Sequence, residues 1–135
     1  MRLPAFVVAF AFGLLLISIQ AQANPERSGS VYYLPLTPGF VTNYGGPGRL
    51  KYLKADVTLE LGEARAYQAA EQHLPLIRNV IVMNLARQSE NNVITPRGQE
   101  RIRSELKDAL NRALKEEVGA EIVQDVLLTS FIFQN

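Results

Sequence analysis

Between residues 95 and 118 the apolar positions recur every three to four residues, which is the spacing of one face of an α-helix. Thr95 can cap its first turn, and Pro96 suits the first helical position. Gly119, which can adopt a positive φ, marks its end. The pattern predicts one long amphipathic helix that needs an apolar surface to lie on. The apolar positions are Ile102, Leu106, Ala109, Leu110, Ala113, Leu114 and Val118.

The opposite face of this helix is charged. Residues four positions apart on a helix can form ion pairs, each worth a few tenths of a kcal/mol. We therefore expect pairs between Arg101 and Glu105, between Asp108 and Arg112, and between Arg112 and Glu116.

Two segments have the pattern of the β-strands that would form this apolar surface. Apolar and polar residues alternate over residues 49–61, which predicts a strand with one buried face. Residues 121–134 are apolar at both alternating sets of positions, which predicts a strand that is covered on both faces or that enters an assembly interface. We expect these two strands to pair beneath the long helix.

Residues 31–36 and 40–44 are two shorter β-prone pieces. Pro35 and Pro38 exclude a central strand, so residues 31–36 are predicted to form an edge strand or an extended arm. The Gly-Gly-Pro-Gly sequence at residues 45–48 predicts a turn, which makes a hairpin with the strand that follows.

The middle of the chain is predicted to be helical. Residues 63–73 are rich in helix-forming side chains, and Pro75 separates them from residues 76–87. In this second segment the spacing of Ile77, Ile81 and Leu85 favours a helix over a buried strand.

Residues 89–92 are predicted to be a polar turn, and residues 93–94 an extended bridge into Thr95. The fold class is therefore α+β, a small antiparallel sheet with helices packed on one face.

The N-terminus has the pattern of an export signal. An apolar run of about 17 residues, 3–19, precedes the small-residue pattern Ala21-x-Ala23, which favours cleavage before Asn24. The run is at the short end of the range for a membrane span, so a retained single-pass anchor is the alternative for residues 1–23. In the uncleaved chain a hydrophobic helix is predicted to precede the domain, and on either interpretation the domain lies outside the cytoplasm.

Composition excludes several classes of chemistry. The chain has no cysteine, one histidine and a net charge of +1, so it has no cysteine-based or histidine-rich metal site and no general attraction to nucleic acid. His73 is interpreted as a solvent-facing or helix-end residue rather than a catalytic base. No nucleophile, base and oxyanion donor can be assembled, so we expect no catalytic residue, no cofactor and no bound metal.

The second half of the chain resembles a known family. Leu-Pro-Leu-Ile-Arg-Asn at 74–79, Thr-Pro-x-Gly-x-Glu-x-Ile-Arg-x-Glu-Leu at 95–106 and Val-Leu-Leu-Thr-Ser-Phe-Ile-Phe-Gln at 126–134 are similar, in this order, to FliL proteins, which are flagellar basal body-associated proteins. Residues 49–57 resemble the central strand of that family. The resemblance covers about residues 33–134 and depends on order and spacing, because none of its motifs is catalytic.

The resemblance implies a non-enzymatic role at the flagellar motor. It implies an inner-membrane protein whose periplasmic domain, residues 31–135 here, has a stomatin/prohibitin-like fold and forms homo-oligomeric rings. Such rings surround the stator units and support flagellar rotation, swimming and swarming. The partners implied are further copies of the chain, the stator and basal body, and the membrane if the N-terminal segment is uncleaved.

The N-terminus differs from the usual family pattern. It has one basic residue, Arg2, a short apolar run and a linker of only about seven residues, 24–30. These features suit a FliL-like paralogue released into the periplasm. A general cell-envelope scaffold of the stomatin kind, unrelated to motility, is the alternative function.

The charged face of the long helix is the predicted assembly surface. If the domain builds rings, this face can contact a neighbouring copy while the apolar face builds the fold. The candidate assembly contacts are Arg101, Glu105, Asp108 and Arg112.

The two interpretations of the leader predict different intact masses. Cleavage after Ala23 gives a protein that begins at Asn24, whereas an anchor retains the leader. Mass spectrometry of the intact protein from the envelope fraction measures this directly. A mass that includes residues 1–23 would contradict secretion.

Overall fold

A computed structural model of the chain describes residues 29–134. The predicted hydrophobic helix at 1–23 and most of the predicted linker lie outside the described residues. The elements follow one another in the order β1 (Tyr32–Tyr44), β2 (Lys51–Leu61), α1 (Ala64–Gln72), α2 (Leu74–Ala86), α3 (Glu90–Ile94), α4 (Pro96–Val118) and β3 (Val123–Gln134).

The three strands form one antiparallel sheet in the order β1-β2-β3. In β2 the side chains at alternate positions are at most 2% exposed, as the alternation predicts. β3 pairs with the other side of β2, from Leu61 opposite Val123 to Tyr52 opposite Gln134. The predicted pairing of the closing strand with residues 49–61 is confirmed. The buried β2 side chains are Leu53, Ala55, Val57, Leu59 and Leu61.

The two β-prone pieces near the N-terminus form one long edge strand, β1. Its pairing with β2 shifts register between Leu36 and Phe40, around a cis peptide bond between Thr37 and Pro38. The prolines are accommodated because β1 lies at the edge of the sheet. The predicted hairpin follows, and Gly45 and Gly46 take positive φ angles of 88° and 78° in its turn.

The middle of the chain is helical, as its composition and periodicity predict. α1 ends at Gln72, and His73 caps it, because its backbone N–H donates to the carbonyl of Ala70. α2 begins at the next residue with Pro75 in its first turn. Ile77, Ile81 and Leu85 are fully buried, which confirms the helical interpretation of this segment.

The segment before Thr95 differs from the prediction. Residues 90–94 form the short helix α3, so the predicted extended bridge is wrong. Ser89 caps this helix, because its hydroxyl accepts a hydrogen bond from the N–H of Asn92 at 3.3 Å. Glu90, in its first turn, pairs with Lys51 of β2, which fixes α3 against the start of that strand.

The long helix α4 begins and ends as predicted. Thr95 Oγ1 accepts a hydrogen bond from the N–H of Gly98 at 3.0 Å. At the other end Gly119 adopts a left-handed φ of 82°, and its N–H donates to the carbonyl of Lys115. These two caps satisfy orphan backbone groups of the first and last turns.

The core lies between one face of the sheet and the helices α2 and α4. Both helices contribute fully buried side chains to the hydrophobic cluster that includes the buried face of β2, and α2 lies against β1 while α4 lies against β3. The other face of the sheet, within residues 29–134, carries exposed side chains that include Tyr33, Val41, Tyr52 and Ile132. The fold is thus α+β with helices on one face of a three-stranded antiparallel sheet.

β3 is more exposed than the pattern of its residues indicates. Only Val123 and Val126 are buried, and Ile132 is 59% exposed. The prediction that this strand is covered on both faces is therefore wrong. The alternative, that β3 enters an assembly interface, stays a prediction.

Gly98 allows α3 and α4 to approach closely. A Cβ at this position would lie 2.3 Å from backbone atoms of Asn92. Helix propensity alone would make Gly98→Ala stabilising by about 1 kcal/mol. Because backbone must move, we expect Gly98→Ala to lower the free energy of unfolding by about 1–3 kcal/mol, measured by urea denaturation.

Ser104→Ala, on the exposed side of α4, is the matched control. It is expected to change the free energy of unfolding by less than about 0.5 kcal/mol. A Gly98→Ala protein more stable than the parent would show that α3 is not held against α4 in this way.

Candidate functional site

The four predicted assembly residues lie in one stripe on α4. At 100° per residue, positions 101, 105, 108 and 112 fall within a narrow sector of the helix, and they span about 16 Å along its axis. The structure therefore brings them onto one surface, but it places them in two different environments.

Glu105 belongs to a polar network around a buried glutamine. Gln88 is only 5% exposed, and its amide nitrogen donates to Glu105 Oε2 at 3.0 Å and to Asn84 Oδ1 at 2.9 Å. Its oxygen accepts a hydrogen bond from Asn92 Nδ2 at 3.0 Å. Arg101 reaches the same network through a longer contact of 3.4 Å to Asn92 Oδ1. This network joins the end of α2, α3 and α4, so Glu105 is part of the fold.

Asp108 and Arg112 are exposed, and the predicted ion pairs do not form. Within residues 29–134 no ion pair joins Arg101 to Glu105, Asp108 to Arg112, or Arg112 to Glu116. Both residues line an open polar depression of about 530 Å³ with Lys107, Asn111, Lys115 and Glu121. Their charged groups are therefore available to a partner.

Arg112 also borders a shallow groove between α2 and α4, which the sequence analysis did not identify. The groove has a volume of about 330 Å³, and Ala109 and Ala113 form its floor on the α4 side. Met83, on the α2 side, is 51% exposed. The small residues on one flank of the apolar stripe are the sequence signal for this groove. Its remaining lining residues are Asn79, Val80, Arg87 and Glu116.

An ionic cluster holds the other flank of α4 against β3. Arg103 pairs with Glu100 on the same helix and with Asp125 of β3. The hydrogen bond from Arg103 lowers the pKa of Glu100, and the same contact raises the pKa of Arg103. Asn111 reinforces this junction, because its amide bonds both the N–H and the carbonyl of Val123. The periodicity of α4 does not predict the contacts of Arg103 with Asp125 or of Asn111 with Val123, because each joins α4 to β3.

His73 has a structural contact at the junction of two helices. Its Nδ1 lies 2.8 Å from the carbonyl oxygen of Ala69. Since a carbonyl can only accept, Nδ1 carries the proton and donates it to this bond. The helix-end position predicted for this residue is confirmed.

Residues 29–134 contain no group of three or more histidine or acidic side chains placed to hold a metal ion. No helix in that part of the chain is long and apolar enough to cross a membrane.

Comparison with known families decides the class of protein. The family model described as "Flagellar basal body-associated protein FliL" matches residues 33–134, which include nearly every element from β1 to β3. This chain belongs to the FliL family. The candidate surface on α4 lies inside the matched region.

A curated relative agrees with this assignment. The chain is 29% identical over 110 residues to the flagellar protein FliL of Aquifex aeolicus strain VF5. The match covers 82% of this chain but 65% of the relative, so the chain spans less than two thirds of that protein's length.

The two environments on α4 predict different consequences of truncation. Glu105→Ala removes an acceptor of the buried Gln88 amide, so we expect the free energy of unfolding to fall by about 1–3 kcal/mol. Arg112→Ala removes an exposed side chain, and we expect a change of less than about 0.5 kcal/mol. Chemical denaturation of both variants measures this difference. Equal losses of unfolding free energy in the two variants would contradict the assignment of Glu105 to the fold and of Arg112 to the exposed surface.

Proposed function

We propose that this FliL-family chain is a non-enzymatic accessory protein of the flagellar basal body that assembles near the stator and supports rotation, swimming and swarming. The observation that carries the proposal is the family match over residues 33–134. The curated relative, itself a flagellar FliL protein, supports the same role.

The proposal includes assembly into a homo-oligomeric ring with a stomatin/prohibitin-like domain as its unit. Ring contacts need surfaces on two sides of each copy rather than a pocket. The exposed ends of Asp108 and Arg112 offer one such surface on α4. The open face of the sheet offers another, because Val41 and Ile132 flank Lys54 in register and are 65% and 59% exposed.

The location proposed is the periplasmic side of the inner membrane, with the chain either anchored there or secreted. This follows from the apolar run and the Ala21-x-Ala23 pattern together with the family assignment. The membrane contact is proposed to run through the N-terminal segment if that segment is uncleaved.

A deletion strain tests the accessory role. We expect the strain to lose torque under load, measured by the rotation of tethered cells, and to recover with the chain supplied from a plasmid. A fluorescent fusion is expected to form foci at flagellar bases. Normal torque under load, together with foci unrelated to flagella, would favour the general envelope scaffold instead.

Charge reversal at Arg112 tests the assembly surface. Because Arg112 is exposed and forms no ion pair within residues 29–134, we expect Arg112→Glu to weaken self-association without shifting the thermal midpoint by more than about 2 °C. Light scattering of the purified protein and swarming of the complemented strain measure the two effects.

Arg65→Glu is the control for this experiment, since it makes the same charge change at an exposed position of α1, away from the stripe. It is expected to assemble and swarm like the parent. A thermal midpoint that collapses in Arg112→Glu would assign this residue to the fold, and unchanged assembly would remove it from the interface.

A further inference from the structure

Arg78 is a cation whose buried donor has no acceptor. It lies on α2, and its guanidinium carbon is 4.4 Å from the centre of the Phe40 ring of β1. Its Nη1 is buried and has no hydrogen-bond partner in the described part of the chain. A buried charged donor without an acceptor destabilises a fold, so this position suits a function better than it suits stability.

A cavity opens beside this guanidinium group, between α2 and β1. Its volume is about 320 Å³, and no acidic side chain lines it. Among the described residues that line it, Arg78 is the only charged one, and the others are one amide and apolar residues. Its lining residues are Gly39, Phe40, Val41, Arg78, Asn79 and Val82.

The stacking on Phe40 prepares Arg78 for a carboxylate. A guanidinium group is planar, so a contact of its face with a ring leaves the N–H donors at its edge free for a bidentate contact to two carboxylate oxygens. Because Nη1 is already desolvated, a carboxylate at this point would form a stronger contact than one on the surface.

The cavity adjoins the free edge of the sheet. Within residues 29–134 no strand pairs with the outer side of β1, so the N–H and C=O groups on that side form no hydrogen bonds to another strand. Pro35 and Pro38 obstruct the first half of this edge. Residues 39–43 contain no proline, and they form an open stretch of about 16 Å next to the cavity.

We propose that residues 39–43 of β1 receive an extended acidic segment of a partner protein as an added strand, and that Arg78 binds a carboxylate of this segment. Only a peptide uses the edge and the cavity together, which favours it over a free anion. The inference rests on the proposed function in one respect, that the chain acts by contacting other proteins. It goes beyond that function by assigning an extended acidic segment to the edge of β1.

Two labelled peptides test the proposal with the detergent-solubilised full chain. Both alternate Thr and Val, and they differ only at a central position, which is Glu in one and Gln in the other. We expect the Glu peptide to bind about tenfold more tightly in fluorescence anisotropy, because a charged acceptor replaces a neutral one at Arg78. The Arg78 Nε–H signal in NMR is expected to shift with the Glu peptide.

Arg78→Met separates recognition from folding. Methionine keeps an unbranched side chain over Phe40 and removes the unpaired cation, so the thermal midpoint is expected to stay the same or rise. The tenfold preference for the Glu peptide is expected to disappear. Arg87→Met, at the exposed residue that caps the C-terminal end of the same helix, is the control and is expected to retain the preference.

A fully N-methylated Glu peptide tests for the added strand. It carries the same carboxylate but cannot donate backbone hydrogen bonds, so we expect it to bind at least about tenfold more weakly. Equal binding of the methylated peptide, or equally effective competition by acetate, would overturn the proposal that the peptide adds as a strand. Arg78 would then be an anion site only.

Three other results would overturn the proposal as a whole. These are binding of neither peptide at millimolar concentration, equal affinity of the Glu and Gln peptides, and an undiminished preference in Arg78→Met. The assay uses purified components, so its failure is distinct from a failure of the torque and focus experiments.

Discussion

The buried face of β2 is the constraint on which the rest of the fold depends. Its five alternate side chains are at most 2% exposed, and both other strands pair with this one strand. A shift of one residue in β2 would move all five side chains to the open face and bring Lys54, Asp56, Thr58 and Glu60 to the core face. The alternation of β2 therefore determines both the register of β1 and β3 and the sheet face on which α2 and α4 pack.

This constraint divides the polar residues of α4 into groups with different roles. Arg103 and Asn111 attach the helix to β3, and Glu105 joins it to the buried amide of Gln88. Arg112 has neither role, since it faces outward between two depressions. Residues that look equivalent on a helical wheel are thus fixed by tertiary contacts in one case and available to partners in the other.

The elements predicted from the sequence are those whose signals are local. The caps of α4, the alternation of β2 and the glycines of the hairpin each specify geometry within a few residues. The short helix α3 was missed because five residues carry no periodicity. The exposure of β3 and the contacts of Glu105 depend on which elements lie nearby. For the same reason the sequence places four charges on one stripe but does not show which of them form contacts, and it gives no sign that Nη1 of Arg78 is buried.

The position of α2 relates the two proposed surfaces. This helix packs on β1 on one side and on α4 on the other, and Asn79 borders both the cavity at Arg78 and the groove beside Arg112. A segment added to the edge of β1 and a copy contacting α4 would therefore lie along two different flanks of α2. The α4 surface and the cavity share only Asn79, so a FliL protein that contacts a neighbour through α4 could bind a second protein at the edge of β1 at the same time. That arrangement suits a basal-body component better than a single shared surface would, because its two kinds of contact need not compete.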